Sequence, residues 1–133
     1  MSVVFYISGH GFGHASRSIE LINAIIDRQP DRRVIVRSQV AAWLFARTAH
    51  PAVELHAVET DTGVVQIDSL RLDAAATITR AAAFMRTFEA RVDAEAALLR
   101  SVGARIVIAD LPPLGIAAAD AAGVPAVAFG NFT

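Results

Sequence analysis

From Ser8 to Ser18 the chain reads SGHGFGHASRS, a stretch that places histidine, glycine, serine and arginine within a few residues of one another. The imidazoles of His10 and His14 can exchange protons near neutrality, and such a ring works as a base when a carboxylate holds one of its nitrogens. Gly9, Gly11 and Gly13 remove side chains from the same stretch, so its backbone can come close to a ligand; a tight turn from strand to helix is the other use of such glycines. Ser16 and Arg17 stand where the next helix should begin, near Ala15 or Ser16. Unpaired N–H groups and partial positive charge at that point suit a phosphate. Both residues also fit a solvent-facing helix surface. The spacing is not the dinucleotide fingerprint G-x-G-x-x-G, because His14 takes the place of the third glycine, and without lysine it is not a phosphate loop. A metal pair at i, i+4 needs an unbroken helix through His10 and His14, which Gly11 and Gly13 oppose. No metal ligands are assigned.

A histidine base needs its carboxylate, and Asp110, at the end of the apolar run RIVIAD, is the candidate. His14 and Asp110 together form a base and an orienting group able to take a proton from a hydroxyl. Asp110 has a second reading, as the N-cap of a helix starting between Leu111 and Pro113. His50 and His56 stand in no such constellation.

These groups must be positioned by the elements around them. Ser2–Ser8 is a short apolar, β-branched and aromatic run that suits a buried parallel strand. Ser16–Arg28 has helical periodicity, with Ile19, Ile22 and Ile26 on one stripe. Arg33–Ser38 reads as a second strand, Ala41–Ala49 as a short helix and Val53–Glu59 as a third strand. After an irregular stretch from Thr60 to Arg71, Asp73 caps one long helix to about Val102, ended by Gly103. Arg105–Asp110 is the fourth strand, Pro113–Ala122 a helix and Pro125–Asn131 the fifth strand. Strand and helix in alternation predict an α/β fold, a doubly wound Rossmann-like parallel sheet of about five or more strands with helices on both faces. Ligands bind such sheets at the carboxyl ends of the strands. The common strand orders make strands one and four neighbours, so the Gly/His turn should face Asp110.

Composition narrows the function classes. The 133 residues, 54% hydrophobic and 19% charged, fit one domain across 1–133. Twelve basic residues, all arginine, against 13 acidic ones give no electrostatic case for nucleic acid. No run approaches the roughly 20 apolar residues of a membrane span. The absence of cysteine removes thiolate catalysis, disulfides and cysteine metal sites. With no leader pattern at the start, the expected location is the cytoplasm.

FYISGHGFGHASR, DTGVVQIDSLRLD (Asp61–Asp73) and IADLPPLGIAAADAAGVPAVAFGNFT together resemble the amino-terminal domain of GT-B glycosyltransferases. They are most like the glycosyltransferase-like half of L-arabinokinases and its free-standing bacterial relatives. Gly13-His14 before an amphipathic helix is more distantly similar to the Gly-His turn of UDP-glycosyltransferases and of the peptidoglycan enzyme that makes lipid II. The resemblance spans essentially the whole chain. It implies the acceptor-side half of a nucleotide-sugar-dependent transferase, with the donor-binding carboxyl-terminal domain absent from this chain. In that family the catalytic histidine matches His14 and its aspartate matches Asp110. The partners implied are a nucleotide sugar and a hydroxyl acceptor, small or lipid-linked, with no cofactor. Gln66 and Asp68, in the loop from Asp61 to Asp73 with Glu59 nearby, would bind sugar or acceptor hydroxyls; a solvated loop is the other reading. A non-catalytic sugar-binding module, as in a sugar kinase with a transferase-like half, is the alternative function.

Overall fold

The computed structural model describes residues 1–130. Five strands, β1 (Ser2–Ile7), β2 (Arg33–Ser38), β3 (Val53–Ala57), β4 (Ala104–Asp110) and β5 (Ala126–Phe129), form one parallel sheet in the order β3-β2-β1-β4-β5. The expected extension of β5 to Asn131 lies outside the described residues. Helices α1 (Gly13–Arg28) and α2 (Ala42–Thr48) cover one face. Helices α4 (Phe88–Ser101) and α5 (Pro113–Ala122) cover the other, with α3 (Ala74–Arg86) against α4. The doubly wound reading therefore holds.

Strand alternation divides the core in two. Val3, Phe5 and Ile7 of β1 with Val34 and Val36 of β2 meet the Ile19, Ile22 and Ile26 stripe of α1. Val4, Tyr6, Ile35 and Val107 meet Leu99 of α4 and Ala118 and Ala119 of α5. Each fully buried isoleucine contributes about 1.5–3 kcal/mol of transfer free energy. In β4 the residues alternating with Val107 and Ala109 are Ile106, Ile108 and Asp110. Asp110 thus lies on the α1 face, opposite Ile7 in the β1–β4 register.

Three elements differ from their sequence readings. Helix α1 begins at Gly13, not near Ala15 or Ser16, because the turn is made by Gly11 at φ 75° and Ser16 N–H already donates to the Phe12 carbonyl at 2.9 Å. The single long helix from Asp73 is two helices broken at Thr87. There the hydroxyl and N–H of Thr87 both donate to the Phe84 carbonyl at 3.1 Å, so side chain and backbone compete for one acceptor. Asp73 does cap α3, accepting from Ala76 N–H at 2.8 Å. Finally, Asp110 does not cap α5. Leu111 takes φ 72°, a conformation that costs a residue with a Cβ about 1–2 kcal/mol, and swings the chain away so that Pro112 becomes the N-cap.

Candidate functional site

With α1 starting at Gly13, His14, Arg17 and Ser18 stand at i, i+3 and i+4 in its first turns and share one helix face. That face meets the end of β4. Asp110, fully buried, takes three side chains from it: His14 Nδ1 lies 3.0 Å from Oδ1, Arg17 Nη2 donates to the same oxygen at 2.7 Å, and Ser18 Oγ donates to Oδ2 at 2.9 Å. Arg17 Nη2 is also 3.5 Å from His14 Nδ1. Both nitrogens are donors toward the nearer carboxylate, so the arginine contact leaves the tautomer to Asp110: Nδ1 carries the proton, and Nε2 keeps its lone pair. The His14 side chain stays 28% exposed, so that lone pair belongs to a ring partly open to solvent.

Arg17, which in sequence suits either a phosphate contact or a solvent-facing helix surface, commits one end of its guanidinium to Asp110, and the group sits over the Phe129 ring at 5.1 Å to the centroid; its Nε is buried without a hydrogen-bond partner. Ser16 is exposed on α1, turned from the buried stripe that holds Ala15 and Ser18. Ser18 is the residue that sequence reasoning missed. A serine inside an otherwise apolar stripe, one turn before Ile22, was the available signal: its hydroxyl needs a buried partner, and Asp110 is that partner.

His10 lies apart from this cluster, on the other side of the turn. Its Nε2 is 3.5 Å from Asp61 Oδ1. Gly9, His10 and Gly11 line a cavity of about 560 Å³ together with Asp61, Thr62 and Gln66 of the loop between β3 and α3. A second cavity of about 460 Å³ is lined by His10, Gly13, His14 and Arg17, so His10 borders both. Gln66 thus joins the Gly/His turn, and Asp68 does not. Asp68 closes its own turn instead, accepting from the N–H groups of Leu70 and Arg71 and from the Arg71 side chain, which hold its carboxyl below the usual value. Among the described residues no three His, Asp or Glu side chains converge as metal ligands, and no helix is long and apolar enough to cross a membrane.

A further polar cluster lies on the opposite face of the sheet. Glu95 of α4, nearly buried, accepts from Tyr6 Oη at 2.8 Å and from Arg37 at 2.9 and 2.5 Å, and Arg37 Nη1 reaches His56 Nδ1 at 3.0 Å. Burial, then the Glu95 charge, pushes the Tyr6 hydroxyl far above its ordinary value. His56, without a constellation in sequence, gains one through β3 pairing with β2, which sets it opposite Arg37.

No established family profile matches the chain. It is 29% identical over 130 residues to an L-arabinokinase of Arabidopsis thaliana, covering 97% of this chain and 12% of that protein. Three solved transferases are similar in structure. A UGT transferase of Siraitia grosvenorii in complex with UDP gives a TM-score of 0.60 at 20% identity, over 96% of this chain and 27% of its own. MurG of Acinetobacter baumannii gives 0.60 at 14% identity, over 97% and 35%. Phytolacca americana UGT2, complexed with UDP-2fluoro-glucose and pterostilbene, gives 0.62 at 15% identity, over 99% and 31%. The chain therefore has the fold of a Rossmann-like half of GT-B glycosyltransferases, and it spans about a third or less of each of these proteins.

Proposed function

We propose that this chain is the acceptor-side domain of a nucleotide-sugar-dependent glycosyltransferase in which His14 is the general base and Asp110 orients it. The observation that carries the reading is the 3.0 Å contact of His14 Nδ1 with a fully buried aspartate, at the carboxyl edge of the sheet. Asp110 holds the Nδ1–H tautomer and favours the imidazolium that forms as Nε2 takes the acceptor's hydroxyl proton. The freed oxygen attacks the anomeric carbon of the sugar while the bond from that carbon to the nucleotide diphosphate breaks, and the diphosphate leaves with the electron pair. That displacement inverts the anomeric centre. Ser18 and Arg17 fix the Asp110 carboxylate, and Arg17 balances its charge. A second Rossmann-like domain, as in the GT-B proteins, would hold the donor.

The likeness to a protein named L-arabinokinase favours a second reading, a sugar-binding module that transfers nothing. Incubation of the full-length protein with UDP-sugars and hydroxyl acceptors separates the two. Product formed by the wild type and not by His14→Ala supports transfer. Equal product from both removes His14 as the base, and saturable sugar binding without any product supports the module.

A further inference from the structure

The cavity between the β1–α1 turn and the β3–α3 loop has a composition that selects its occupant. Its polar lining is Ser8, His10, Asp61, Thr62 and Gln66, and among the described residues no arginine borders it. A volume of about 560 Å³ lies within the range of small-molecule sites. The walls are firmly set. Thr60, which begins the loop, is buried and donates through Oγ1 to the Ile7 carbonyl at 3.0 Å; Ser8, which begins the turn, is buried too, with its Oγ 3.4 Å from His10 N–H. Gly63 lies directly against the His10 ring, where a Cβ would come within 2.2 Å of Nδ1. Glycine at this position lets the loop close down on the histidine, and that closure brings Asp61 beside it.

Asp61 is the unfinished part of this arrangement. Its Oδ1 is shut off from solvent and accepts no hydrogen bond, the 3.5 Å to His10 Nε2 exceeding the usual N–H···O length. The side chain as a whole is 19% exposed, so a ligand in the cavity meets the carboxylate on its open side, where a negative oxygen favours a donor. An anionic ligand would repel it, and an apolar one would leave it unpaired. A neutral ring with adjacent hydroxyls supplies donors to the carboxylate and acceptors to Gln66 and His10 at once.

We propose that this cavity is a sugar subsite in which Asp61 and His10, backed by Gly63, bind a pair of neighbouring hydroxyls on a neutral sugar. Because His10 also borders the cavity of His14, a sugar seated here extends toward the base. The proposal rests on the transferase reading only in taking that sugar as the acceptor. His10, Asp61 and Gln66 are then specificity-determining residues, and the acceptor is a sugar rather than an apolar aglycone.

The test follows the histidine ring signals by NMR while the full chain is titrated with L-arabinose, D-galactose, glucose 1-phosphate and glucosamine. The expected result is saturable perturbation of the His10 signals by at least one neutral sugar, weakened about tenfold, the equivalent of one hydrogen bond to a charged group, in Asp61→Asn. Gln66→Ala, at an exposed position, weakens it without affecting folding. Absence of saturation by either neutral sugar, preference for the phosphate or the amine, or binding unchanged in both Asp61→Asn and Gln66→Ala would overturn the proposal. In transfer assays Asp61→Asn raises the acceptor KM and spares kcat, whereas His14→Ala lowers kcat. Binding that persists in a protein without transferase activity therefore sinks the transferase reading and leaves the sugar subsite standing.

Discussion

Asp110→Asn isolates the charge at the hub of the site. Asparagine keeps the shape of the side chain. Its oxygen can still accept from Arg17 and His14, and its NH2 can face Ser18 Oγ, which then turns to accept. What disappears is the negative charge behind the 2.7 Å and 3.0 Å contacts. A hydrogen bond to a charged group contributes about 1.5–3 kcal/mol and a neutral one about 1 kcal/mol, so the two weakened contacts together cost about 1–4 kcal/mol. For a chain of this length 1 kcal/mol corresponds to about 3–4 °C in Tm, giving a fall of about 3–16 °C. Asp110→Ala strands the Ser18 and His14 donors as well as Arg17 and should cost about 3–5 kcal/mol. Thermal unfolding followed by circular dichroism measures both variants. If neither shifts the midpoint, Asp110 does not bind the end of β4 to α1, and the geometry behind the base assignment is wrong.

Other consequences concern the rest of the molecule. The Tyr6 hydroxyl is raised above the ordinary value of about 10, so the fold favours the neutral phenol: this contribution to stability is complete below that value and declines as pH rises above it. Tyr6 is the single tyrosine, so in an alkaline titration the tyrosinate absorbance should appear together with loss of the circular dichroism signal; a reversible titration at the ordinary value in the folded protein would contradict its burial against Glu95. Arg37→Met leaves Glu95 buried beside Tyr6 alone and should destabilise by about 3–5 kcal/mol in denaturant unfolding, with most of the loss recovered in Arg37→Met/Glu95→Met; a loss that the double variant keeps would place the effect outside the ion pair. Gly63→Ala drives a Cβ into the His10 ring and should cost about 1–3 kcal/mol, relieved by His10→Ala in a double-mutant cycle; independent, additive effects would mean that the loop does not rest on His10.

The sheet and the meeting of its two loops were legible because they depend on local pattern. Apolar runs, glycine stops and helical stripes occur within short windows, and alternation of strand and helix limits the strand order until the Gly/His turn must face the end of β4. What escaped depends on contacts far apart in sequence or on a single backbone choice. Glycine at position 13 suggested a turn, yet once Gly11 has made the turn Gly13 can open the helix, and this places Ser18 rather than Ser16 beside Asp110. Leu111 in the left-handed region separates Asp110 from the helix it was in position to cap, something no propensity for leucine foretells. Tyr6, Arg37 and Glu95 each read as an ordinary strand or helix residue. They are separated by up to 89 positions in the chain, and only the layering of α4 on the sheet joins them. The loop from Asp61 to Asp73 divides by geometry: Asp61 and Gln66 face the cavity, Asp68 closes a turn and Asp73 caps a helix.

The measurement that bears most directly on the central claim is steady-state transfer by the full-length protein, comparing the wild type with His14→Ala under saturating donor and acceptor. A general base contributes typically 10²–10⁴-fold, so the account requires kcat to fall by about that factor, with circular dichroism unchanged and the acceptor KM close to that of the wild type. A His14→Ala enzyme that turns over at the wild-type rate would contradict it.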